Sequence, residues 1–115
     1  MNVTIYHNPR CSKSRQTLVL LQDRNFEPEI IEYLKTPPDK ATLKSILKKL
    51  GLSARQLIRT GESAYTENNL DDDSLDEDQL IEAMIANPIL IERPIVLAND
   101  RAAIGRPPES VLDIL

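Results

Sequence analysis

One cysteine, Cys11, occurs in the 115 residues, within His7-Asn8-Pro9-Arg10-Cys11-Ser12-Lys13-Ser14-Arg15. The thiolate rather than the thiol is the nucleophile, so chemistry at neutral pH needs a pKa lowered from about 8.5 into the range of roughly 3.5–7.5. Val3-Thr4-Ile5-Tyr6 has the β-branched and aromatic content of a strand, and Asn8-Pro9 breaks it. Residues 12–22 lack Gly and Pro, centre on Leu18-Val19-Leu20-Leu21, and read as a helix. Cys11 therefore falls at a strand-to-helix turn, where unpaired N–H groups and the helix dipole favour an anion. Arg10, Lys13 and Arg15 push the same way. A buried, inert thiol is the ordinary state of a lone cysteine, but one ringed by three cations reads as reactive.

His7, the only histidine, lies four residues before Cys11 across a tight turn. From there it could favour the thiolate by hydrogen bonding or charge, an auxiliary role. Ser14 stands where a C-x-x-C motif would carry its second cysteine. Its hydroxyl can donate a hydrogen bond to a thiolate or satisfy backbone groups of the first helical turn, but it cannot close a disulfide. An oxidised Cys11 must therefore be resolved by an external thiol.

The remaining elements place this turn in an α/β architecture. Residues 29–33, Glu-Ile-Ile-Glu-Tyr, read as a second short strand ended by Thr36-Pro37-Pro38. Asp39 can cap a helix carrying Leu43, Ile46, Leu47 and Leu50, which Gly51 stops. Ser53 and Gln56 form a capping box for a shorter helix through Leu57 and Ile58. A further helix starts near Asp76, buries Leu80, Ile81, Met84 and Ile85, and ends at Asn87-Pro88. Ile95–Ala98 and Arg101–Ile104, joined through Asn99-Asp100, form a hairpin pattern, and Pro107-Pro108 suit the start of a terminal helix. The expected fold is a thioredoxin-like mixed four-stranded sheet flanked by helices. An all-helical insertion, about 39–88, separates its βαβ and ββα halves within one domain spanning 1–115.

Composition narrows the function. A net charge of −4 argues against a nucleic-acid partner. No apolar run approaches the ~18 residues of a membrane span, and no signal peptide is visible at the start. One Cys and one His do not make a structural zinc site. A cytoplasmic protein, expected as a monomer without bound metal or organic cofactor, fits these features. Asp71-Asp72-Asp73 and Asp76-Glu77-Asp78 lack the central Gly and spaced Glu of a calcium loop, so they read as a solvated loop and helix start.

His7-Asn8-Pro9-x-Cys11-x-x-Ser14-Arg15, Tyr33-Leu34-x-x-Pro37-Pro38, Leu57-Ile58-Arg59, Asn87-Pro88-Ile89-Leu90-Ile91-x-Arg93-Pro94-Ile95 and Gly105-Arg106-Pro107 run in order over the whole chain. Together they resemble the glutaredoxin-linked, ArsC-type arsenate reductases, in the short chromosomal form that ends without a charged tail. The resemblance implies reduction of arsenate to arsenite, with glutathione as thiol co-substrate and glutaredoxin as the protein that recycles it. It also implies Cys11 as nucleophile, Arg59, Arg93 and Arg106 as oxyanion-binding arginines, and His7 and Ser14 as supports of the thiolate. The residue types suit that chemistry, since a guanidinium never loses its proton and its planar fork holds two oxygens at once. Arg93 and Arg106 each precede a proline that restricts their backbone, and the bond before Pro94 is a candidate for cis geometry. Arg24, Arg55 and Arg101 have no such context and are expected to be solvated.

Two other readings share the fold. A glutathione-dependent thiol-disulfide reductase would use Cys11 without three oxyanion arginines. An Spx-like adaptor binding RNA polymerase would carry a C-x-x-C switch, which Cys11-Ser12-Lys13-Ser14 cannot form.

Overall fold

The computed structural model describes residues 2–115. Contacts group them into two compact units, one formed by the chain up to Thr36 together with Arg93–Leu115, the other by Pro37–Glu92.

The first unit is the mixed sheet. β1 (Thr4–Tyr6), α1 (Ser12–Asp23) and β2 (Glu29–Ile31) form the βαβ half; β3 (Ile95–Ala98), β4 (Arg101–Ile104) and a 3-10 helix (Pro108–Ile114) form the other. The strand order is β2-β1-β3-β4. β1 runs parallel to β2 and antiparallel to β3, with Ile5 opposite Ile30 on one side and Val96 on the other. Period-2 alternation puts Val3 and Ile5 of one segment and Val96 and Ala98 of another on the same face. There they meet Leu21 of α1 and Val111 and Ile114 of the terminal helix, all buried. Each fully buried Leu, Ile or Val contributes about 1.5–3 kcal/mol. The hairpin turns through Asn99 and Asp100, at φ 54° and 60°. Both are short polar residues that tolerate the left-handed region a two-residue turn demands. The terminal helix is 3-10 rather than α.

The second unit is helical: α2 (Lys40–Leu50), α3 (Ala54–Leu57), α4 (Ser63–Glu67) and α5 (Glu77–Ala86), then a 3-10 turn over Pro88–Leu90. The caps fall where the sequence placed them. Asp39 accepts from the N–H of Thr42 at 2.8 Å, Gly51 ends α2 at φ 70°, and Ser53/Gln56 and Asp76/Gln79 each close a full capping box. α4 was not expected; it buries none of its residues, so it carries no hydrophobic period to read. Glu77 of α5 binds the N–H of Ala54 at 2.9 and 3.0 Å, tying the start of α3 to α5.

The expectation that Arg55 is solvated is corrected. Its guanidinium donates to the Tyr65 hydroxyl at 3.0 Å, to the Leu70 carbonyl and, at 3.1 Å, to the Asp72 carbonyl. The acidic loop exposes backbone carbonyls without helical partners, and a forked donor on α3 satisfies several at once. Arg101 is exposed but also bonds the Asp113 carbonyl at 3.1 Å.

Candidate active site

The turn that carries Cys11 is shaped by Asn8. Its carbonyl accepts from the N–H of Cys11 at 3.0 Å, its Oδ1 from the N–H of Arg10 at 3.0 Å, and its N–H donates to Ser14 Oγ at 3.0 Å. The sequence reading used Asn8 only as a strand breaker; an Asx turn before a helix was the signal available. The turn leaves Cys11 as the N-cap of α1, in extended backbone geometry at φ −93° and ψ 124°. Cys11 is buried, with 8% of its surface exposed.

Burial is the largest single influence on this thiol and pushes its pKa up, yet the net displacement is downward. The opposing causes are the backbone N–H of Ser14, the hydrogen bond and charge of Arg93, and the backbone N–H of Lys13. The two N–H groups act as the open positive end of α1 rather than as a formed cap, since the Cys11 side chain accepts no capping hydrogen bond. Arg106 adds a second guanidinium, with Nη2 3.6 Å from Sγ.

The cations responsible are thus brought by the fold, not by the neighbouring sequence. Arg10 and Arg15 are exposed, and Arg15 Nη1 is bound to the Pro9 carbonyl at 2.9 Å. Lys13 contributes through its backbone. Arg93 comes from the segment before β3 and Arg106 from the segment after β4. The peptide bonds Arg93–Pro94 and Arg106–Pro107 are both cis, the first in line with its sequence context. Arg106 Nε donates to the Arg93 carbonyl at 2.8 Å.

Ser14 is fully buried. Its hydroxyl pairs with His7 Nδ1 at 2.6 Å and accepts from Asn8 N–H. It is the backbone N–H of Ser14 that serves the sulfur, and the hydroxyl instead fastens the helix start to the strand end. His7 accordingly acts on the turn through Ser14. Its own pKa is lowered, chiefly by burial and further by Arg15, against an opposing pull from Glu32.

Arg59 belongs to the helical unit, beside the isolated bridge between Ile58 and Ile91. Its N–H donates to the Leu90 carbonyl at 2.7 Å. Its guanidinium pairs with Glu62 at 3.4 Å and with Glu92 at 3.5 Å, and the side chain is 22% exposed. Arg59 is therefore a mostly buried arginine already engaged by two carboxylates.

A cysteine at the head of the first helix of a thioredoxin-like sheet, with guanidinium groups on its sulfur, defines a thiolate site suited to anions. The chain belongs to the ArsC family, whose model matches residues 6–114. It is 60% identical over 114 residues to the uncharacterised Escherichia coli K12 protein YfgD, covering 98% of this chain and 96% of that one. It is 51% identical to an arsenate reductase of Neisseria meningitidis MC58, covering 98% and 97%. Among solved structures, an arsenate reductase from Vibrio cholerae superposes with a TM-score of 0.97 at 51% identity, covering 100% of this chain and 98% of that one.

Proposed function

We propose that the protein is an arsenate reductase in which Cys11 attacks arsenic while arginines hold the oxyanion. The observation that carries this reading is the pair of guanidinium groups on one thiol, with Arg106 Nη2 3.6 Å from Sγ and Arg93 hydrogen-bonded to the same sulfur. The named activity of the Neisseria and Vibrio relatives supports it.

Two thiols must be oxidised for arsenic to pass from the +5 to the +3 state. Cys11 supplies the first. As its sulfur bonds to arsenic, an arsenate oxygen leaves as hydroxide or water, and the guanidinium groups stabilise the charge that develops on the remaining oxygens. The second thiol has to come from outside, because the chain has one cysteine. Glutathione takes that role here: its sulfur and that of Cys11 give up the electron pair that arsenic gains, and arsenite departs. Glutaredoxin then removes the glutathionyl group from Cys11 by thiol exchange. An oxyanion role for Arg59, which the family pattern implies, would require its guanidinium to be released from Glu62 and Glu92.

A coupled assay tests the proposal: NADPH oxidation with glutathione, glutathione reductase and glutaredoxin, with and without arsenate. Turnover that requires arsenate and yields arsenite is expected. Equal turnover on a small mixed disulfide without arsenate would instead assign a thiol-disulfide reductase.

A further inference from the structure

The segment that carries Arg106 meets α1 at a contact with no spare room. Gly105 is buried, and its N–H donates to the Pro94 carbonyl at 2.9 Å. Together with the bond from Arg106 Nε to the Arg93 carbonyl at 2.8 Å, this clamps residues 93–94 and 105–106 side by side. Thr17 of α1 lies against Gly105. A methyl group built at Gly105 would overlap Thr17 Oγ1 and approach Pro94 Cγ to 2.8 Å and Thr17 Cγ2 to 3.2 Å. Thr17 is fully buried, and its Oγ1 donates to the Lys13 carbonyl at 2.8 Å. Rotating it away would break that bond inside a close-packed interior. The same helical turn presents the Lys13 and Ser14 N–H groups to the sulfur of Cys11.

We infer that the Gly105–Thr17 contact is the spacer that sets Arg93 and Arg106 against the Cys11 sulfur, so that Thr17 and Gly105 are positioning residues for the thiolate and for the anion it attacks. The part concerning the anion rests on the arsenate reading; the part concerning the thiolate does not. Neither residue carries a charge or touches the sulfur in the contacts described above. Their effect is one of distance. The Arg106 contact stands at 3.6 Å, and charge-assisted bonds weaken steeply as donor and acceptor separate and misalign. A side chain at 105 must lift the clamped pair off α1, and both guanidinium groups move with it. Burial of the thiol then goes less opposed, and the thiolate is disfavoured.

The test is the rate of Cys11 alkylation by iodoacetamide across pH, with thermal unfolding followed alongside. The variants are Gly105→Ala, Thr17→Ala, the double variant, and Thr17→Ile, which crowds Gly105 from the helix side. Gly105→Ala and Thr17→Ile are expected to raise the apparent pKa and to slow alkylation near neutral pH by roughly 3- to 10-fold, since one pKa unit is tenfold in thiolate below the midpoint. Thr17→Ala alone removes part of the spacer without crowding it, and should shift the profile in the same direction by less than either crowding variant. The double variant should recover part of the loss, because the new methyl fills the space vacated at position 17. In active preparations the arsenate KM should follow the same order. Should arsenate prove not to be a substrate, the alkylation profile still decides. A folded Gly105→Ala or Thr17→Ile chain with the wild-type profile overturns the inference. So does a folded double variant that titrates as an ordinary thiol. If Gly105→Ala does not fold, the double variant and Thr17→Ile carry the measurement.

Discussion

Arg106 Nε donates to the backbone carbonyl of Arg93 at 2.8 Å, while Nη2 of the same guanidinium lies 3.6 Å from the sulfur of Cys11. The two arginines are therefore not independent charges. One holds the other through its main chain, and both address the same thiol. A lysine in place of Arg106 keeps the charge but cannot span carbonyl and sulfur with one planar fork.

Arg93→Lys and Arg106→Lys are each expected to lower kcat/KM for arsenate by roughly 10- to 150-fold, the equivalent of one charge-assisted hydrogen bond worth about 1.5–3 kcal/mol. Arg24→Lys, at an exposed position, should change it by less than about twofold. Steady-state kinetics on the three variants check this.

Arg59→Lys separates contact with the anion from the ion pairs to Glu62 and Glu92. A raised arsenate KM in the folded variant is the outcome expected of an anion-binding Arg59. A wild-type KM in a folded variant would leave Arg59 as a structural partner of those two carboxylates.

Cys11→Ser should abolish arsenate reduction and leave the melting profile close to wild type, because the side chains are nearly isosteric and no second thiol can substitute. Activity of the native enzyme should rise through an acid limb centred below the ordinary cysteine value, in keeping with the net downward displacement of this thiol. A limb at or above about 8.5 would contradict the activated thiolate.

His7 gives a stability prediction with a definite sign. Its pKa in the folded chain lies below the ordinary 6.5, so the unfolded chain binds more protons as pH falls through that region. Stability should be fully present above about 6.5 and decline as pH falls toward the folded-state pKa. Denaturant unfolding from pH 8 to 5 should show this decline in wild type, and His7→Asn should flatten it.

Local chemistry made much of the fold legible. The Asp39 cap, the Ser53/Gln56 box and the Asn99-Asp100 hairpin each follow from a few adjacent residues, and all three appear where expected. Cys11 was legible for the same reason, as a thiol placed by its own strand and helix. What escaped depends on distant partners. Arg55 reads as solvated until the carbonyls of Leu70 and Asp72 are brought to it. In the sequence the cations nearest Cys11 are Arg10, Lys13 and Arg15, whereas Arg93 and Arg106, some 80 to 95 positions away in the chain, reach the sulfur. The bond from Ser14 to His7 spans strand and helix, so one-dimensional spacing allowed a contact but not its direction.

Arg55 carries its own prediction. Arg55→Met would strip the donor from the part-buried contact to the Leu70 carbonyl while keeping much of the aliphatic stem, and should lower stability by about 1–3 kcal/mol. Chemical denaturation checks the loss, and a change within about 0.5 kcal/mol would mean that water replaces the guanidinium.

The central claim is that an oxyanion sits on the Cys11 thiolate between Arg93 and Arg106. Protection of Cys11 from iodoacetamide by arsenate, measured without glutathione at a pH where the thiolate is present, tests it most directly. The account predicts saturable protection in the wild type, with much weaker protection in Arg93→Lys and Arg106→Lys. Alkylation at the same rate with and without arsenate in the wild type would contradict it.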